Sequence, residues 1–213
     1  MSGTEYLVPW QEAQSEFTEK RSRFIGHVWR VEDEDAARQC IENTRRRFHD
    51  ARHHCWGYLL HTGGTVRYSD DGEPQGTAGL PILNIFQRRG VTNACCVVTR
   101  YFGGVLLGAG GLTRAYARAA KDALCAAGLA RVSRYKRVEI PCPYPLLEQV
   151  QREIQLCGGQ ITHADYGASV TLHAAFPAPQ LDAFAVRLQQ LSAASVSLRD
   201  AGEADFPGER MEV

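Results

Sequence analysis

Residues Ala94–Tyr101 read Ala-Cys-Cys-Val-Val-Thr-Arg-Tyr, an almost unbroken apolar run of strand length. A strand with no polar alternation is buried on both faces, so the chain around it must cover it from two sides. The run ends on Arg100, where an unpaired charge is expensive. We expect its carboxylate from the loop Tyr68-Ser69-Asp70-Asp71-Gly72-Glu73-Pro74, which has three acids within four residues. After the strand come five glycines in Phe102–Gly111 and then a helix, Leu112–Ala127, closed by Gly128.

The rest of the first half reads as mixed α/β. Arg23–Val31 has strand character. Asp33–Phe48 is a helix with Ala37, Cys40, Ile41, Thr44 and Phe48 on one face, acidic at its start and basic at its end, as the helix dipole favours. His53–His61 and Thr65–Ser69 form a hairpin about Gly63-Gly64. Pro81 suits the first position of a short helix.

The second half has the cleaner periodicity. Lys136–Cys142 alternates as a strand, and Tyr144–Cys157 has helical spacing stopped by Gly158-Gly159. Gln160–Tyr166 and Val170–Phe176 make a hairpin. A helix follows through Leu181, Phe184, Leu188 and Leu191, and then a strand at Val196 and Leu198. The order is βαββαβ, a ferredoxin-like pattern. The expected organisation is a domain over 1–134, a second over 135–201, and a flexible tail over 202–213.

Formal charge sums to zero, but residues 1–138 carry 20 Lys+Arg against 14 Asp+Glu and residues 139–213 carry 4 against 10. The basic half is the better candidate for an anionic partner. No run is long and apolar enough for a membrane helix, and Met1–Trp10 lacks the pattern of a secretory signal. Seven cysteines without a C-x-x-C pair, several inside apolar runs, suit reduced thiols of a cytoplasmic protein.

Three constellations could carry chemistry. The acidic loop, with Asp70, Asp71, Glu73 and Thr77, is either a solvated turn or a receiver for Mg²⁺ or a basic group. The glycine run before the helix either permits close packing or offers backbone N–H groups to an anion at Gly108, Gly110 and Gly111, beside Arg114. It matches neither phosphate-loop fingerprint. The strand Arg52-His53-His54-Cys55-Trp56 holds adjacent histidines that point to opposite faces, which argues against a shared metal or a Cys55–His54 pair. With Arg100, Tyr101, Gly103 and Gly104 these segments make one expected binding surface. No catalytic residue, metal or cofactor is assigned.

Taken together, Lys20-Arg21-Ser22-Arg23-Phe24-Ile25, Asp50–Cys55, Ser69–Pro74 with Gly76–Gly79, and Arg100–Gly104 with Leu106–Gly108 and Gly110–Leu112 resemble the IMPACT family, in its bacterial branch. The resemblance implies an α+β protein of two domains. The first would have the β-α fold of ribosomal-protein second domains, elongation factor G domain IV and GHMP kinases. The second would be ferredoxin-like, as in domain V of that factor. Eukaryotic members regulate translation by binding a large activator of an initiation-factor kinase. The expected function is therefore a non-catalytic, translation-related binding protein contacting RNA, the ribosome or a translation-associated protein. Two alternatives stay open: a phosphate- or nucleotide-binding enzyme with a GHMP-kinase-like glycine loop, and a protein-interaction module.

Overall fold

The structure, a computed structural model, describes residues 5–213. Met1–Thr4, part of the stretch examined for a secretory signal, lie outside them. The chain is α+β and divides into two units: Tyr6–Arg131 with Pro207–Val213, and Val132–Phe206. The division falls three residues before the expected boundary, inside one long strand.

In the N-terminal unit a short first strand, β1 (Tyr6–Pro9), precedes a five-stranded sheet. Its members are β2 (Ala13–Glu19), β3 (Ser22–Arg30), β4 (His53–Leu59), β5 (Val66–Ser69) and β6 (Ala94–Tyr101), in the order β2-β3-β6-β4-β5. All four pairings are antiparallel. Central β6 is covered on both faces, as its apolar run requires. Cys96 and Val98 face a core shared with α2 (Gly79–Arg88) and α3 (Ala109–Ala127). Cys95 and Val97 face α1 (Glu34–Arg47). Asp33 caps α1 by accepting from the Ala36 N–H at 2.7 Å. Helix α3 rides close on β3 because Gly26 meets the Ala119 carbonyl where any side chain would collide.

The second unit runs β7 (Leu129–Cys142), α4 (Leu147–Leu156), β8 (Gln160–Tyr166), β9 (Val170–Pro177), α5 (Ala178–Leu191) and β10 (Arg199–Met211). This is the βαββαβ order, with strands arranged β10-β7-β9-β8. Ile140, Ile154, Leu172, Phe176 and Phe184 fill the core between sheet and helices.

Three expectations need correction. The last strand is not Val196–Leu198 but β10, and residues 202–211 are part of it rather than a flexible tail. Acidic residues that look like solvating charge are paired across the sheet: Asp205 with Arg134 at 3.2 Å and Glu203 with Lys136 at 3.1 Å. Helix α3 begins at Ala109, inside the glycine run, because the alanine-rich turns beyond it propagate helix back through Gly110 and Gly111. Pro81 stands two residues inside α2 rather than at its start.

Candidate functional site

Register places Arg100 on β6 beside Phe24 on β3 and His53 on β4. With the strand period of two, Arg100 shares the face of Cys96 and Val98 and enters the core under α3. Its side chain is only 6% exposed, and Glu73 is 4%. The expected carboxylate is there: Arg100 Nη1 donates to Glu73 Oε1 at 2.6 Å. The Tyr116 hydroxyl, from α3, donates to the same oxygen at 2.7 Å. Arg100 Nη2 and the Gly103 N–H both donate to Ser22 Oγ, at 3.3 and 3.2 Å. The guanidinium lies 5.5 Å from the ring centres of both Phe24 and Phe102. Arg100 Nε is buried without an acceptor.

The acidic loop does not gather its carboxylates at one point. Asp70 is consumed by its own loop and the start of α2, accepting from Gly76 N (2.8 Å), Ala78 N (3.0 Å) and Gly79 N (2.9 Å). Asp71 takes Arg45 at 2.7 Å on one oxygen and the His54 N–H at 2.7 Å on the other. Glu73 points inward to Arg100. The Thr77 hydroxyl is turned onto the Pro74 carbonyl at 2.6 Å. Asp70 and Thr77 therefore build the loop rather than a contact surface, and the carboxylates lack the convergence that Mg²⁺ demands.

The sheet also separates residues expected on one surface. His53 faces the Arg100 side, its Nδ1 2.9 Å from the Asp71 carbonyl. His54 and Tyr101 face α1. His54 Nδ1 is 3.1 Å from Thr99 Oγ1, and burial holds its pKa below the ordinary value. The Tyr101 hydroxyl donates to Asp50 at 2.7 Å, and burial and then that carboxylate raise its pKa. Neither residue reaches the Arg100 cluster. Cys55 is on the cluster's face, but its thiol is buried and donates to the Asp70 carbonyl, and burial raises its pKa, which disfavours the nucleophilic thiolate.

Above Arg100 opens a cleft of about 340 Å³, lined by Arg52, His53, Phe102, Leu106, Gly108 and Ala109 among others. Gly108, at φ 72°, precedes the first turn of α3 with no side-chain cap. Gly111 and Arg114 line a neighbouring groove with Lys20 and Arg118, so the expected anion-binding set splits between two hollows. Gly110 lies beside the Arg114 guanidinium. Gly103 is packed against the Arg21 backbone, and Gly104, at φ 83°, turns the loop in open space. The sequence pairs neither Ser22 nor Tyr116 with the Arg100 cluster, nor Arg45 with the acidic loop. Nothing in their spacing marks them, since each is brought in by another element.

Comparison with known proteins bears on this unit directly. Residues 20–124 match the model of the Impact N-terminal domain, and residues 140–195 match a domain of unknown function, DUF1949. The chain is 36% identical over 182 residues to the IMPACT family member YigZ of Escherichia coli, covering 84% of this chain and 89% of that protein. The chain belongs to the IMPACT family. It is also 29% identical to the family member YvyE of Bacillus subtilis, over 94% of this chain and 93% of that one. A crystal structure titled as that of a hypothetical protein aligns with TM-score 0.60 at 34% identity, over 93% and 97% of the two chains. The Impact N-terminal match spans the whole Arg100 cluster, the cleft above it and all of the neighbouring groove except Phe17 and Glu19, so the site belongs to the Impact N-terminal domain.

Proposed function

We propose that the N-terminal unit is a non-catalytic RNA-contacting module of a cytoplasmic, translation-associated protein. Family membership supports the general translation-associated role. The observation that carries the RNA reading is an apolar loop set among cations at one end of the sheet. Phe102 is 45% and Leu106 80% exposed, beside Arg52 in one hollow, and the next residue of the loop, Leu107, lines both that hollow and the one with Lys20, Arg114 and Arg118. Exposed aromatic surface flanked by Lys and Arg is what a single-stranded nucleic acid uses, stacking its bases and neutralising its phosphates.

A second feature supports it. The turn from β2 to β3 consists of Lys20 and Arg21, both at positive φ (45° and 66°). Such a turn favours Asn-Gly, so two cations there are held at a cost in backbone strain. The βαββαβ order of the second unit is ferredoxin-like, as in elongation factor G domain V, and the first unit's helices on a sheet are compatible with the ribosomal-protein second-domain likeness. With Asp70, Asp71 and Glu73 all engaged and Cys55 buried, the non-catalytic reading is favoured over the kinase-like one.

Filter binding of a single-stranded RNA 12-mer tests the proposal. Affinity should fall linearly on a log–log plot against salt, and Arg52→Ala and Arg114→Ala should each weaken binding. A competent protein that binds no RNA or ribosome at low salt overturns it.

A further inference from the structure

The cleft over Arg100 has two kinds of wall. At about 340 Å³ it sits at the small end of ligand pockets, roughly 300–1,000 Å³. Phe102, Leu106 and Leu112 supply apolar lining, Arg52 and Arg100 supply cationic lining, and Ala109, the first residue of α3, lines it too. Arg52 is exposed and has no ion-pair partner among the described residues.

Two independent features ask for an acceptor here. The first turn of α3 presents backbone N–H groups that no helical carbonyl can take, and Gly108 brings no side chain to cap them. Arg100, with its side chain 94% buried, keeps an Nε–H with no acceptor, because Glu73 and Ser22 occupy the other two nitrogens. Glu73 already balances the charge of Arg100. What the guanidinium lacks is an acceptor oxygen, and of the two rings 5.5 Å from it, Phe102 is the exposed one that lines the cleft.

We infer that this cleft receives one unstacked nucleotide, its phosphate on the first turn of α3 and Arg52, its base against Phe102 and Leu106. A base carbonyl or phosphate oxygen then satisfies Arg100 Nε once Phe102 shifts to stack on the base. This rests on the RNA reading above and adds to it a subsite for a single nucleotide. A flat aromatic group joined to a phosphate is the ligand that uses both walls at once. An apolar group alone leaves the helix start and Nε unmet, and phosphate alone leaves the apolar wall unused.

The test is titration calorimetry of the full chain with uridine 5′-monophosphate, uridine and inorganic phosphate, beside filter binding of the RNA 12-mer. The nucleotide should bind at least about tenfold more tightly than uridine or phosphate, and Phe102→Ala should weaken it about tenfold. Ala109→Asp puts a carboxylate at an exposed first-turn position, where the helix dipole favours it. That variant should melt no lower than wild type yet lose nucleotide binding. Displacement of the 12-mer by the mononucleotide would place a nucleotide of the RNA chain in the same cleft. Equal affinity for nucleotide, uridine and phosphate, or unchanged affinity in Ala109→Asp, overturns the inference. A 12-mer bound equally by wild type and Ala109→Asp, with no mononucleotide binding, also overturns it but leaves the RNA reading standing. Mononucleotide binding without 12-mer binding keeps the cleft as a nucleotide site and overturns the RNA reading.

Discussion

A guanidinium sunk between Phe24 and Phe102 is tolerable only because Glu73 lies 2.6 Å from it. Removing one partner leaves a buried charge alone, so Arg100→Ala should lose about 3–5 kcal/mol in urea unfolding, whereas the double change Arg100→Met with Glu73→Leu should recover most of it. An Arg100→Ala variant as stable as wild type would show that the pair does not hold the site. The histidines set a pH dependence of definite sign. Burial is the first cause holding His54 and His27 below their ordinary values, with Glu12 partly opposing it at His27. A base with a depressed folded-state pKa contributes stability that is complete above about pH 6.5 and is lost as pH falls through the folded value. The urea midpoint should therefore drop from pH 7.5 to 5.5, and His54→Gln should remove part of that drop. At the Lys20-Arg21 turn, Lys20→Asn with Arg21→Gly should gain about 1 kcal/mol of stability while flattening the salt slope of RNA binding by roughly 1–1.5. A variant that gained stability with an unchanged slope would separate the strain from any binding role.

At the scale of elements, the acidic loop is mainly a device for starting α2. Three backbone N–H groups at the head of that helix and the turn before it end on Asp70. Asp70→Ala should cost about 2 kcal/mol, and amide exchange should quicken first at Ile82 and Leu83. The spacing showed a loop rich in Asp and Gly, and the pairing of Arg100 with it was legible because a charge on an apolar strand has few ways to be satisfied. Which of the three acids would do so was not legible. Asp70, Asp71 and Glu73 sit next to one another in sequence but face α2, α1 and β6 respectively, and only the turn at Asp71 (φ 42°) and Gly72 (φ 86°) decides that. β2 escaped the pattern as well, since only Ala13 and Phe17 of its residues pack on the core.

Over the whole chain, the opposed charges of the two halves are partly spent at home. Lys136 and Arg134 on β7 meet Glu203 and Asp205 on β10. Of the cations in the N-terminal unit, Lys20, Arg114 and Arg118 line one of the two hollows described above and Arg52 the other. The last residues also belong to the first unit: Met211 packs on the core formed by β3, β6 and α3. Deleting 207–213 should therefore lower the stability of the chain by roughly 1 kcal/mol through lost apolar burial, read as a lower urea midpoint. An unchanged midpoint would return these residues to the status of a dispensable tail.

The sequence alone determined that β6 is covered on both faces, that the second half runs βαββα before its last strand, and that Arg100 needs a carboxylate. Those are local demands, of alternation, of helical spacing and of a charge's hydration, and they hold whatever the chain does elsewhere. Only the tertiary structure decided which of the two histidine faces carries the Arg100 cluster, that Tyr116 and Ser22 complete that cluster, and that an acidic terminus becomes a strand. Each of those depends on which distant segment arrives beside it, and a contact made across 43 or 78 residues leaves no mark in the spacing of either partner.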